Sequence, residues 1–511
     1  MSLLPPTGLP KDEILARLAD YRSADLPARG GRTFAYVYDA GRPDVDELGH
    51  EVYASFLDVN GLDPTVFPSL LRMENEVVAI TAEHLGGRPG TVGSFTSGGT
   101  ESILLAVKAA RDLARATRPE VTHPEVVLPV TAHAAFQKAC HYLGLTAVLV
   151  DVDPTTFRAV VEAVREAITP NTVLLVASAA SYAHGVVDPV EQLGQLALEH
   201  DIPLHVDACI GGWLLPHFRE LGVDVPAFDL SVPGVTSLSV DLHKYAYAPK
   251  GASVVLYADQ AMRSRQFYAC ADWTGYTMIN ATVQSTKSGG PLAAAWAVLH
   301  AVGRQGYRDL AVQTLSAKDR LIAGIDGVPG LRVLGRPEMA LVALAGTDGV
   351  DVFEVCDEMA ARGWYVQAQL GYRGLPASIH LTLTASSDEH VTALLADLTE
   401  CVELARAAQT GLDPTLVEAV RQLDPDELPD DVLGTLLPLA GIEPGAGLPD
   451  RMAGINALLE AMSPRLRERL LIAFLGQLFT PASGVSSAEA GSAGEGTPSA
   501  RRPASPPDGR A

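Results

Sequence analysis

Between residues 70 and 300 short apolar runs alternate with longer stretches in which apolar residues recur every third or fourth position. "TVGSFT" (91–96) precedes "ESILLAVKAARDLARA" (101–116), and "EVVLPVTA" (125–132) precedes "AFQKACHYLG" (135–144). "TVLLVASA" (172–179) precedes "VEQLGQLALEH" (190–200), and "PLHVDAC" (203–209) and "VTSLSV" (235–240) follow. The short runs read as buried strands and the periodic stretches as amphipathic helices. Near-continuously apolar strands that alternate with helices predict an α/β fold, a mainly parallel sheet covered on both faces.

The pattern changes after the helical run "PLAAAWAVLHAVGRQGY" (291–307). "LRVLG", "MALVALAG", "WYVQAQ" and "SIHLTLT" read as strands around the helix "VDVFEVCDEMAARG", predicting a smaller α+β domain that ends in "DEHVTALLADLTECVELARAA". The expected organisation is an N-terminal arm (1–60), a large domain (61–304), the small domain (305–412), a helical extension (413–480) and a tail (481–511). In the arm, "KDEILARLADYRS" reads as a helix and "GRTFAYVYDAG" as extended chain. In the extension, "PTLVEAVRQL", "DDVLGTLLPLAG" and "RMAGINALLEAM" have helical periodicity, while the Gly-, Ser-, Ala- and Pro-rich tail is expected to be disordered.

Composition narrows the function classes. The 38 basic and 61 acidic residues give a formal charge of −23, which repels nucleic-acid phosphates and argues against such a partner. Five scattered cysteines without CxxC spacing give neither a disulfide framework nor a metal site, and fit a reducing cytoplasm. The first residues carry prolines and charges where a signal peptide needs an apolar core, and no apolar run reaches the roughly 18 residues of a membrane span.

The candidate chemistry lies at strand ends. "VDLHKYAYAPKG" (240–251) places Asp241, His243 and Lys244 directly after a buried strand, where an unpaired ammonium costs several kcal/mol, and adds Lys250 behind a turn. "TSGGTES" (96–102) stands between a strand and a helix, so Gly98, Gly99 and Thr100 offer backbone and hydroxyl donors for a phosphate. Asp207 ends "PLHVD", and His133 follows "PVTA". Singly, these residues read equally as a helix cap, a turn aspartate, a core histidine and a salt-bridged lysine. Together they lie where open α/β sheets bind ligands, and they meet the needs of pyridoxal phosphate. That cofactor requires a Schiff-base lysine (Lys244), a partner for the pyridinium nitrogen (Asp207), a phosphate cradle and a residue against the ring (His133). On this view Lys244 needs no ordinary counter-charge, because its amine is consumed in the Schiff base.

The blocks "GSFTSGGTESILLAVKAARD", "HVDACIGGWLLP", "SVDLHKYAYAPKGASVVLY" and "KSGGPLAAAWAVLHAVGRQGY" resemble the pyridoxal-phosphate group II decarboxylase superfamily, most closely its sphingosine-1-phosphate lyase branch. The resemblance covers roughly residues 30–405. It implies a fold type I (aspartate-aminotransferase-like) architecture and a homodimer with shared active sites. It further implies carbon–carbon cleavage of a phosphorylated, small-molecule or lipid-like amine, with amino-acid decarboxylation as the alternative. Position by position, it assigns His243, Gly98, Gly99 and Thr100 to the cofactor phosphate, joined by Ser288 and Gly289 from the neighbouring subunit. It assigns Tyr38, Asn60 and Lys250 to the substrate phosphate, so that an anionic substrate neutralises Lys250, and Tyr182 to acid–base work. One departure stands out: "NGLD" puts Asp63 where those lyases carry a histidine.

Overall fold

The computed structural model describes residues 4–63, 65–408, 414–424, 428 and 449–479; the expected helix "DDVLGTLLPLAG" and the tail 481–511 lie outside them. Seven strands form the central sheet: β1 (Val92–Thr96), β2 (Glu125–Pro129), β3 (Thr146–Val150), β4 (Thr172–Ser178), β5 (Leu204–Asp207), β6 (Val235–Val240) and β7 (Ser253–Tyr257). Their order is β1-β7-β6-β5-β4-β2-β3. Strands β2 to β6 pair in parallel, and β7 runs antiparallel between β6 and β1. β1 therefore points the same way as the parallel strands. Every residue of β4 is buried, as a strand with helices on both faces must be. Even His205, wholly buried in β5, is held between Ser237 Oγ (2.8 Å) and Ser239 Oγ (3.2 Å), and burial lowers its pKa to about 4.

A hairpin, β8 (Tyr268–Cys270) and β9 (Met278–Asn280), follows; its short strands give no periodic signal in the sequence. The helix read over 291–307 runs from Gly290 to Ile325 and breaks at Gly303, whose φ of 62° and ψ of 173° leave the helical region. Glycine tolerates positive φ without a Cβ clash. The small sheet, β10 (Leu331–Val333), β11 (Leu341–Gly346), β12 (Gln367–Gln369) and β13 (Ser378–Thr382), is antiparallel in the order β10-β11-β13-β12. The extended arm does not stand apart. Phe34 N donates to Tyr365 O at 2.8 Å and Thr382 N to Phe34 O at 2.7 Å, which lays this part of the arm against the small domain. No helix among the described residues is long and apolar enough to cross a membrane.

Beyond residue 413, helices Pro414–Arg421, Ala453–Ala461 and Pro464–Leu478 are described. The middle one docks on the small-domain helix Val352–Ala361. Asp357 accepts from Met452 N and Ala453 N, each at 2.9 Å, and so caps the incoming helix. Arg451 spans Glu354 (2.8 Å) and Glu358 (2.9 Å). Asp357→Ala removes the cap and strands two amides, a loss of about 1–3 kcal/mol in the attachment of this helix. Limited proteolysis of the variant should release a C-terminal fragment much faster than in the parent, while the part of the chain ending at residue 408 persists.

Candidate active site

The carboxyl ends of β1, β2, β4, β5 and β6 meet around a cavity of about 340 Å³. Gly98, Gly99, Thr100, His133, Tyr182, Asp207, His243 and Lys244 all line it, so residues as distant in sequence as Gly98 and Lys244 share one space. Apart from Tyr182, expected as the acid–base residue, these are the cofactor positions expected from the sequence, without Ser288 and Gly289.

Lys244 follows β6 in a turn in which Lys244 N donates to Asp241 O at 3.3 Å. Its Nζ lies 2.9 Å from Asp241 Oδ2, and the Asp241 side chain is only 3% exposed. Burial is the largest single influence and lowers the lysine's pKa, but the charge and hydrogen bond of Asp241, together with Tyr38 and Cys209, raise it above the usual value. The expectation that Lys244 has no ordinary counter-charge is therefore wrong. A buried ammonium needs a partner before any cofactor arrives, and Asp241 supplies it. The signal lies three residues upstream in the sequence. Asp241 also faces His243, whose Nε2 is 3.7 Å from Oδ2. Burial lowers the His243 pKa.

Beside this pair sits the turn between β1 and the helix Gly99–Thr117. A Cβ on Gly99 would lie 2.7 Å from Cys209 Sγ and 2.9 Å from Asp241 Oδ1, so only glycine brings the backbone this close. Glu101, to which the sequence reading assigns no role, fixes the turn. Its Oε2 accepts from Ser97 N at 2.6 Å and its Oε1 from Val283 N at 2.8 Å. Asp207 is buried, and its Oδ1 accepts from Cys209 N at 3.0 Å. His133 is exposed, and its Nδ1 accepts from Ala135 N at 3.1 Å. His243 Nδ1 and Ser178 Oγ are buried without a hydrogen-bond partner among the described residues. A glycine-shaped anion cradle, orphaned polar atoms, a carboxylate and an amine in one cavity fit pyridoxal phosphate.

Tyr182 reaches the cavity from the loop after β4. Its hydroxyl donates to Gln367 Oε1 at 2.6 Å, and Gln367 Nε2 donates to Tyr36 OH at 2.7 Å. Its ring stacks on His380 with centroids 4.2 Å apart. Burial raises the Tyr182 pKa, with the neighbouring Tyr38 and Tyr36 adding to the effect. Lys250 Nζ donates to Tyr36 O at 3.0 Å and lies 4.9 Å from the centre of the Tyr38 ring. Burial and the charge of Lys244 push the Lys250 pKa down to about 8. Lys250 has no carboxylate partner among the described residues.

Asn60, Ser288 and Gly289 are brought together, but elsewhere. Asn60 pairs with Ser288 in an isolated bridge, and all three line a separate cavity of about 50 Å³ with Asp63 and Lys287. Asp63 Oδ1 accepts from Thr65 N (2.7 Å) and Thr65 Oγ1 (2.6 Å). Within one chain, then, Asn60 does not join Lys250 and Tyr38.

The pyridoxal-dependent decarboxylase conserved domain matches residues 33–344, and a "Pyridoxal-dependent enzyme, C-terminal putative HTH domain" matches residues 414–477. The sphingosine-1-phosphate lyase of Oryza sativa subsp. japonica is 38% identical over 79% of this chain and 75% of its own length. The solved sphingosine-1-phosphate lyase of Burkholderia pseudomallei K96243 superposes with a TM-score of 0.75 at 36% identity, covering 80% of this chain and 93% of that one. The glutamate decarboxylase of Lactobacillus brevis shares the fold (TM-score 0.69, 19% identity, 80% and 96% covered). The chain belongs to the pyridoxal-dependent decarboxylase family, groups there with the sphingosine-1-phosphate lyases, and is a pyridoxal-phosphate-dependent lyase.

Proposed function

We propose that this lyase cleaves a carbon–carbon bond of a phosphorylated amino alcohol, giving an aldehyde and an amino-alkyl phosphate. The observation that carries the substrate class is Lys250, a cation without a carboxylate partner among the described residues, held beside Tyr38 next to the cofactor cavity. Pyridoxal phosphate, when bound, takes up the electron pair released as a bond to the substrate's α-carbon breaks.

Lys244 supplies the amine that anchors the cofactor, and Asp241 holds that amine in place. With the cofactor bound, Asp207 would accept the pyridinium N–H, His133 would pack on the ring, and Gly98, Gly99, Thr100 and His243 would hold the phosphate. Burial raises the pKa of Tyr182 and keeps its phenol protonated, and this residue is assigned the acid–base work at the cavity. Lys250 and Tyr38 bind the substrate phosphate. A homodimer accounts for Asn60, Ser288 and Gly289, which lie outside the cofactor cavity of their own chain and would complete that of a partner. The five unpaired cysteines support a cytoplasmic location.

Three outcomes are expected. Asp241→Asn removes the charge that raises the Lys244 pKa and leaves burial, which lowers it; more amine is then neutral at a given pH. The pH midpoint for capture of pyridoxal phosphate by the apoenzyme, trapped with cyanoborohydride and located at Lys244 by peptide mapping, should move to lower pH. Asp207→Asn should still take up the cofactor but lose most turnover, since the ring nitrogen loses the partner that keeps it protonated; near-normal turnover rules out this role. Lys250→Ala should mainly raise KM for sphingosine 1-phosphate, with kcat/KM falling about ten- to a hundredfold, the worth of a charge-assisted hydrogen bond. Product analysis with sphingosine 1-phosphate and a panel of L-amino acids decides the reaction. Carbon dioxide from an amino acid, with phosphorylated substrates untouched, replaces the lyase reading with decarboxylation.

A further inference from the structure

His243 is the common wall of two cavities. On the side away from the cofactor residues lies a second one of about 350 Å³, which also includes Tyr38 and Lys250. Arg22, Arg29 and His50 line it as well, and Asp46 is the one carboxylate among its lining residues. Arg29 Nη2 lies 2.6 Å from Asp46 Oδ1, while its Nη1 donates to Tyr38 O at 3.4 Å. Lys250 grips the same short segment through Tyr36 O and the Tyr38 ring. Two cations thus converge on residues 36–38, and the charge of Arg29 contributes to lowering the Lys250 pKa, after burial and Lys244. Asp46 is itself partly buried, and burial raises its pKa despite Arg29.

We infer that Arg29 is a second cationic arm beside Lys250 for the substrate's phosphate monoester, held by Asp46 until the phosphate takes its place. The inference rests on the phosphate-ester reading above and adds a residue that the family resemblance does not supply. Lys250 provides a point charge, and Arg29 a planar fork that matches two phosphate oxygens. Exchange of partners conserves the arginine's ion pairing: the guanidinium leaves one carboxylate for a dianion. Asp63 takes no part within this chain, because its carboxylate is tied to Thr65 in the other small cavity.

Calorimetric titration of the holoenzyme with inorganic phosphate tests this. Arg29→Gln should weaken phosphate binding about tenfold, the low end for a charge-assisted contact because Arg29 is half exposed. Asp46→Asn should strengthen binding roughly threefold by removing the competitor. Arg29→Lys, which keeps charge but loses the fork, should fall between Arg29→Gln and the parent. The cofactor absorbance of each variant should match that of the parent. If Arg29→Gln binds phosphate like the parent while Lys250→Ala loses it, the role of Arg29 is overturned and the phosphate-ester reading stands. A parent holoenzyme that takes up no phosphate overturns both.

Discussion

The ion pair between Lys244 and Asp241 is the constraint on which the rest of the site is built. A parallel sheet delivers its strand ends to one edge, and that edge is both buried and polar, so each charge placed there needs an answer. Asp241 answers Lys244 at 2.9 Å, and the consequences spread outward. The carboxylate crowds the space where a Cβ of residue 99 would stand, so the cradle turn is glycine. It also faces His243, the wall between the two cavities. Amine, cradle and partition are thus arranged around one carboxylate.

Much of this is legible in the sequence, for a physical reason. Strands buried on both faces are rich in apolar and β-branched residues and rarely carry charge, so the run "VTSLSV" marks β6 residue for residue, and charged residues just beyond such a run are conspicuous. That contrast exposes Asp207, His133 and Lys244 together. Asp241 stands in the same stretch, but an amine expected to be consumed calls for no counter-ion, and the carboxylate's role is lost with that premise. Contacts between distant segments leave no comparable trace. Nothing in the sequence joins Arg29 to Asp46, or Tyr182 to Gln367 across 185 positions. The break at Gly303 is equally hidden, because a single glycine within a periodic run does not announce the sign of its φ.

The site residues divide into those that one chain gathers and those that it sets apart. Strand ends gather the first group because the sheet fixes their positions. Asn60, Ser288 and Gly289 belong to the second, tied together through a bridge between the arm and the residues just before the long helix. That pairing holds them in place even though they lie outside the cavity of their own Lys244, which is what a contribution to a neighbouring copy requires.

Gln367 belongs to the edge strand of the small sheet, whereas the phenol it contacts follows a strand of the large one. One amide therefore spans the seam between the two sheets, with Tyr36 of the arm on its other side. Such a bond works as a vernier. A slip of about an ångström along the seam leaves the ladder of either sheet intact, yet it takes a 2.6 Å hydrogen bond beyond its useful range and frees the phenolic proton to turn elsewhere. Alignment of the domains thus becomes a chemical variable, read out as the direction in which Tyr182 points its proton.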